Sequence, residues 1–141
     1  GYGVPAAVAA SILFPERLVI GFVGDGGFMM SGLELGTAMQ YNAKPIIIIF
    51  NNENYGTIRM HQEREYPGRV YGTNLKNPDF CALGTSFGAF TQHVDDTKDF
   101  IPAVKKAIDS KRMSLIELSV EKNQLSTRLH LDDIKKRAPN G

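Results

Sequence analysis

Two apolar runs of strand length dominate the hydropathy pattern, Leu18 to Val23 and Ile46 to Phe50. Each ends abruptly, the first in Gly24-Asp25-Gly26-Gly27 and the second in Asn51-Asn52. Between them, Met29 to Asn42 carries a helical pattern, so the whole reads as a strand–helix–strand unit. A right-handed crossover makes the two strands of such a unit parallel. Both polar endings then fall at the carboxyl ends of strands, where open parallel sheets bind their ligands. Asp25 and Asn52 are therefore expected to face one crevice.

The remaining elements continue the alternation. Pro5 to Leu13 predicts a helix with proline in its first turn, and its small residues favour close approach to a sheet. The first strand is apolar throughout, as expected where helices cover both faces. Ser31-Gly32-Leu33-Glu34 has the capping-box pattern, with Ser31 as cap. Residues 53–74 lack sustained periodicity and read as a short helix followed by a long irregular loop. Asn77-Pro78-Asp79-Phe80 predicts a helix start, with Asn77 as cap and Pro78 at the first helical position. Phe80, Leu83 and Phe87 form its stripe, and Gly88 stops it. A strand over 89–94, a helix over 97–111 and a strand over 114–120 complete the pattern. The fold class expected is a three-layer α/β/α domain with a mainly parallel sheet. The domain is placed at 1–125, with a C-terminal tail at 126–141.

Composition changes this picture little. The 141 residues, with 43% hydrophobic and 22% charged content, suit a single globular domain. A formal charge of +1 gives no electrostatic footprint for nucleic acid or an anionic membrane. No apolar run approaches the roughly 18–20 residues of a membrane span. No secretory signal is visible, and a single cysteine, Cys81, fits a reducing cytoplasm. The chain opens on Gly1 rather than methionine, which reads as a piece of something longer or a processed product.

The turn after the first strand carries the candidate chemistry. Glycines there expose backbone N–H groups near a helix start, an arrangement that suits phosphate. A dinucleotide fingerprint would need glycine where Met29 stands, and a nucleoside-triphosphate loop would need a lysine that is absent. Asp25 places a carboxylate where an anion should sit. A divalent cation between the two removes the conflict, and magnesium commonly bridges carboxylates to phosphates. Asn52 supplies a neutral oxygen from the neighbouring strand end.

Gly24-Asp25-Gly26 followed by Asn51-Asn52 closely resembles the signature of thiamin diphosphate-dependent enzymes, a GDG triplet and an NN pair separated by one crossover. Gly1 to Ala7, Gly27 to Leu35 and Asn77-Pro78-Asp79-Phe80 are similar to the C-terminal domain of the acetolactate synthase branch, and the likeness covers roughly positions 1–120. The resemblance implies thiamin diphosphate and Mg²⁺ as cofactors. Asp25 and the Asn52 side chain would ligate the metal, with the main-chain carbonyl of Asn54 as third protein ligand. Gly24 belongs to the triplet, Gly26 and Gly27 would offer N–H groups to the diphosphate, and Tyr55 and Gly56 would line the same pocket. It further implies a 2-keto acid substrate and a homo-oligomer, with a pyrimidine-binding domain contributed by a partner subunit. That domain's activating glutamate is absent from this sequence, as is the bulky apolar residue that bends the cofactor. The chain is accordingly expected not to turn over substrate alone, and no catalytic residue is assigned within it. Two alternatives stand beside this reading: a complete small subunit of a two-chain enzyme, and a non-catalytic nucleotide- or protein-binding module.

Other reactive side chains receive plainer expectations. His61, His93 and His130 are too scattered for a metal cluster. Cys81 is expected to be a buried, inert thiol. Glu53 reads as a helix-start carboxylate rather than a catalytic acid. Met29 and Met30 are expected to pack on the sheet, and Lys135-Lys136-Arg137 to be solvated.

Overall fold

Four consecutive isoleucines explain the architecture. In the computed structural model, which describes residues 1–126 and 128–137, strand β2 (Ile46–Asn51) occupies an interior position of a parallel four-stranded sheet. The strand order is β1 (Ile20–Gly24), β2, β4 (Ser114–Ser119), β3 (Phe90–Val94). Side chains alternate across a strand, so Ile47 and Ile49 enter one core while Ile46 and Ile48 enter the other. The first core is closed by α1 (Gly3–Leu13), α2 (Asp25–Ser31), α3 (Leu35–Gln40) and α5 (Phe80–Ser86). The second is closed by α6 (Thr97–Ser110) through Ala103 and Ala107. This is the expected three-layer α/β/α arrangement with a parallel sheet. All four isoleucines are at most 2% exposed, and each contributes roughly 1.5–3 kcal/mol through burial.

Strand β1 lies at the sheet edge and departs from expectation on one face. Helix α1 packs on it closely: a Cβ added at Gly21 would stand 2.9 Å from Cβ of Ala7. The opposite face is open, with Phe22 61% exposed, because α6 lies over β3 and β4 instead.

The helix expected over 29–42 is divided into three. Gly24 is extended, with φ −74° and ψ 156°, and α2 begins immediately at Asp25. Ser31 breaks the helix at φ −149° and ψ 14°, a 3₁₀ turn spans Gly32–Glu34, and α3 follows. The capping box is not made: the Ser31 hydroxyl donates to the Gly1 carbonyl, and Glu34 accepts from Thr37 Oγ1 at 2.8 Å. The early start also rotates the methionines outward. Phe28 is buried edge-on against Phe80, ring centroids 5.2 Å apart, whereas Met29 and Met30 are 49% and 63% exposed.

Helix α4 (Gly56–Glu65) is followed by an irregular segment, as expected for this region. Helix α5 starts at Phe80, two residues later than expected. Its cap is Asp79, which accepts from the Ala82 N–H at 2.8 Å. Beyond Glu121 the chain forms a short antiparallel hairpin, β5 (Gln124–Ser126) with β6 (Leu129–His130), and then α7 (Leu131–Arg137). Helix α7 packs on α4 with Leu131 buried. The side chains of 135–137, expected to be solvated, lie outside the described residues.

Candidate functional site

The sheet brings the two polar strand endings together in register, with Gly24 of β1 opposite Phe50 of β2. The residue after each ending then turns into a common crevice. Gly24, Asp25, Asn52, Asn54 and Gly56 all line one cleft of about 520 Å³, bordered by Phe50, Val120 and strand β5. A smaller cleft of about 240 Å³ adjoins it. It is lined by Gly24 to Gly27 and by Asn54, Tyr55 and Gly56.

Asp25, the first residue of α2, is 2% exposed. Its Oδ1 accepts the Gly26 N–H at 2.9 Å, and Oδ2 accepts the Asn77 amide at 2.7 Å. Among the described residues no cationic side chain pairs with it. A carboxylate withdrawn from water needs charge compensation as well as hydrogen bonds, and here only the hydrogen bonds come from the protein. The Gly26 N–H is engaged by this carboxylate. Gly26 also has no room for a side chain, since a Cβ would lie 2.4 Å from the Tyr55 ring.

On the other strand, Asn51 ends β2 and faces away from the crevice toward β4, donating to Glu117 Oε1 at 2.7 Å. Its Oδ1 accepts the Glu53 N–H at 3.1 Å. Glu53 sits in the left-handed region at φ 54°, before the helix rather than within it, with its carboxylate exposed and 3.8 Å from Lys122 Nζ. This turn carries the chain from Asn52 to Asn54. Pairing with 73–75 then fixes it: Tyr55 N–H donates to the Thr73 carbonyl at 2.8 Å, and Leu75 N–H to the Glu53 carbonyl at 2.9 Å. Asn54 is 4% exposed, and its buried side-chain oxygen has no hydrogen-bond partner. The uncompensated Asp25 carboxylate, the Asn52 amide oxygen and the Asn54 main-chain carbonyl, which accepts the Gly56 N–H at 2.9 Å and has a second lone pair, are hard oxygen donors of residues lining one cleft, a chemistry that fits magnesium.

Two residues of this neighbourhood escape the sequence reading. Asn77 looks like a helix cap because it precedes proline, yet its amide nitrogen bridges Asp25 and Asn51 at 2.7 and 2.9 Å. Glu117 is 7% exposed in the middle of β4. A charged residue inside an otherwise apolar strand was a visible signal for it.

Glu117 also joins a cluster at the end of β3. His93 Nδ1 lies 3.1 Å from Glu117 Oε2, and Nε2 lies 2.9 Å from Asp95 and 3.1 Å from the Ser119 hydroxyl. Partial burial pulls the His93 pKa down, but its hydrogen bonds to Asp95 and Glu117 and their charges outweigh that and raise it. The Ser119 hydroxyl first, then His93, lower the pKa of Asp95. Cys81 is partly rather than fully buried, and desolvation, then the charges of Glu117 and Asp79, raise its thiol pKa. Little reactive thiolate is present at neutral pH. His61 lies on the exposed side of α4 beside Arg64.

A parallel sheet between helical layers, with its crevice at the carboxyl ends of adjoining strands, defines an α/β ligand-binding domain. Residues 1–118 match the family described as thiamine pyrophosphate enzyme, C-terminal TPP binding domain, and the chain belongs to that family. It is 34% identical over 124 residues to the mitochondrial acetolactate synthase of Schizosaccharomyces pombe, covering 88% of this chain and 18% of that protein. Against the acetolactate synthase isozyme 2 large subunit of Escherichia coli, identity is 33% over 122 residues, 86% of this chain and 22% of that one. The solved thiamine diphosphate-dependent 4-hydroxybenzoylformate decarboxylase of Rhodococcus jostii superposes with a TM-score of 0.80 at 34% identity, over 88% of this chain and 23% of that one. The chain thus spans about a fifth of the length of these relatives. No helix among the described residues is long and apolar enough to cross a membrane.

Proposed function

We propose that this domain anchors the diphosphate of thiamin diphosphate through Mg²⁺, as part of an acetolactate synthase-like enzyme acting on 2-keto acids. Asp25 and the Asn52 side chain would ligate the metal together with the Asn54 carbonyl. Gly24, Gly26, Gly27, Tyr55 and Gly56 would line the cofactor's seat. The observation that carries the reading is the Asp25 carboxylate, 2% exposed and without a cationic partner among the described residues, at a cleft shared with Asn52 and Asn54. When bound, thiamin diphosphate supplies the carbon nucleophile for a keto carbonyl and the sink for the electron pair left by carbon–carbon cleavage.

This chain's own residues do the electrostatic part. Asp25 brings the negative charge that retains the metal, and the neutral oxygens of Asn52 and Asn54 complete the donor set without adding charge that would repel a diphosphate. Phe50 and Val120 give the cleft an apolar wall on one side. Acid–base groups for the pyrimidine end would come from another domain, in a homo-oligomer, so the chain alone binds but does not catalyse. Tyr2, Leu13, Met30 and Leu33 are each more than 60% exposed, apolar area suited to contact with such domains.

Isothermal calorimetry with thiamin diphosphate, with and without Mg²⁺, tests the proposal. Metal-dependent heat is expected. Binding that ignores the metal, or no binding in its presence, overturns it. Carboligase or decarboxylase turnover by the isolated chain would contradict the division of labour.

A further inference from the structure

We propose that Asn77 and Glu117 are positioning residues for the crevice, acting through Asn51. Resting on the reading of that crevice as a cation and diphosphate site, the proposal identifies what aims its donors. A continuous side-chain chain runs His93–Glu117–Asn51–Asn77–Asp25, with successive contacts of 3.1, 2.7, 2.9 and 2.7 Å.

The donors and acceptors along the chain are fixed, with Asn77 donating both ways and a carboxylate accepting on either side. Glu117, when ionised, only accepts, so it draws the Asn51 NH₂ group toward itself. Asn51 must then present its carbonyl oxygen to Asn77 and to the Glu53 N–H. Rotating that amide by half a turn would set its oxygen against a carboxylate and its NH₂ against two donors. Asn77 in turn has two hydrogens on Nδ2 and two acceptors, Asp25 Oδ2 and Asn51 Oδ1, so both are used. Each amide is thereby locked by its neighbours: Glu117 and the Glu53 N–H agree on one orientation of Asn51, and Asp25 and Asn51 on one of Asn77.

Two donor positions depend on that lock. Asn77 holds one oxygen of Asp25, leaving the carboxylate no freedom to swing. Asn51 holds the Glu53 N–H and so, beside the backbone pairing with 73–75, braces the left-handed turn that carries the chain from Asn52 to Asn54. Neither Asn77 nor Asn51 lines either cleft, so they act on the site through the residues that do. The chain also accounts for Glu117 itself. A carboxylate is costly in a buried strand whose neighbours are Leu115 and Ile116. A packing role alone would be filled better by another aliphatic side chain.

Calorimetric titration of Mg²⁺ into the chain at saturating thiamin diphosphate tests this on Asn77→Leu, Glu117→Leu, Glu117→Gln and the double Leu variant. Thermal unfolding without ligand is recorded in parallel. Loss of an outer partner of a metal ligand typically weakens affinity by about 10–100-fold; Asn77→Leu is expected to fall in that range, and Glu117→Leu, two contacts further out, to lose less but measurably. Glu117→Gln, which keeps an acceptor for the Asn51 amide, should recover most of the loss. The double variant should lose less than the product of the singles, because both act along one chain. Unchanged Mg²⁺ affinity in folded Leu variants, no rescue by Gln, or losses that multiply would each overturn the proposal. Should Glu117→Leu fail to fold, the half-buried Asn77→Leu decides alone. A wild-type chain without metal-dependent binding sinks the reading of the crevice, and this proposal with it. Wild-type binding with insensitive variants sinks only the positioning role.

Discussion

The amide nitrogen of Asn77 donates to Oδ2 of Asp25 at 2.7 Å, joining residues 52 positions apart. It is a neutral donor on a buried carboxylate. A lysine or arginine in its place would satisfy the charge permanently and leave nothing for a cation to do. Asn77 orients the carboxylate while keeping its charge available.

Asp25→Asn removes that charge at nearly constant shape. The unliganded stability should change little, since the loss of a buried charge offsets a poorer hydrogen bond to Gly26 or Asn77. The response to ligand should vanish. With Mg²⁺ and thiamin diphosphate at a hundredfold excess over their dissociation constant, the wild type gains about 2.7 kcal/mol. Differential scanning calorimetry with and without both ligands should show the upward shift only in the wild type.

Two glycines of the same turn should behave oppositely. Gly24 has extended backbone angles open to any residue, and a Cβ there meets nothing within 4 Å. Gly24→Ala should therefore leave denaturant stability within roughly 0.5 kcal/mol of wild type. At Gly26 a Cβ would come within 2.4 and 2.6 Å of two Tyr55 ring carbons, so the ring must move. Gly26→Ala should cost about 1–3 kcal/mol, as overpacking does. It should also weaken thiamin diphosphate binding by displacing Tyr55 from the smaller cleft.

His93 gives a pH dependence with a defined sign. Its folded pKa is raised above 6.5, so its contribution to stability is full below that value and is lost as pH rises through the folded pKa. Asp95, lowered from 3.8, contributes above that value and loses its contribution as pH falls through the folded pKa. The groups facing the imidazole are Asp95 and Glu117, both acidic, with the Ser119 hydroxyl between. The cluster therefore stabilises most between about pH 4 and 6.5. His93→Gln should flatten the urea-unfolding pH profile on the alkaline side of this window.

The two faces of the sheet offer a packing test. Ile48→Ala empties a site that is 1% exposed, with an expected cost of about 2–5 kcal/mol. Phe22→Ala, on the uncovered face of β1, removes a ring in tilted contact with Phe50 at 6.1 Å. It should cost roughly 1 kcal/mol, the scale of one aromatic pair. Equal losses in guanidinium unfolding would mean that something covers β1 in solution.

The four strands of the main sheet, their parallel sense and the side of the sheet where chemistry would gather were legible in the sequence alone. Those follow from local information: an unbroken apolar run, a helical period between two such runs, and glycine or asparagine where each run stops. Ile46 to Asn52 could be read from neighbours alone. Partnership among polar side chains was settled by long-range contacts instead. Asn77 had a plausible local role as a cap beside Pro78, and nothing within a few residues reveals that Asp79 takes the cap while Asn77 reaches Asp25. Ser31 likewise forfeits its capping box to the Gly1 carbonyl, a residue 30 positions away. Met29 and Met30 turn outward because the helix begins at Asp25, which depends on how Gly24 leaves the sheet. A backbone pattern is fixed by short-range periodicity, whereas a polar side chain chooses among donors and acceptors that folding brings within 3 Å. That choice is made only once the sheet has closed.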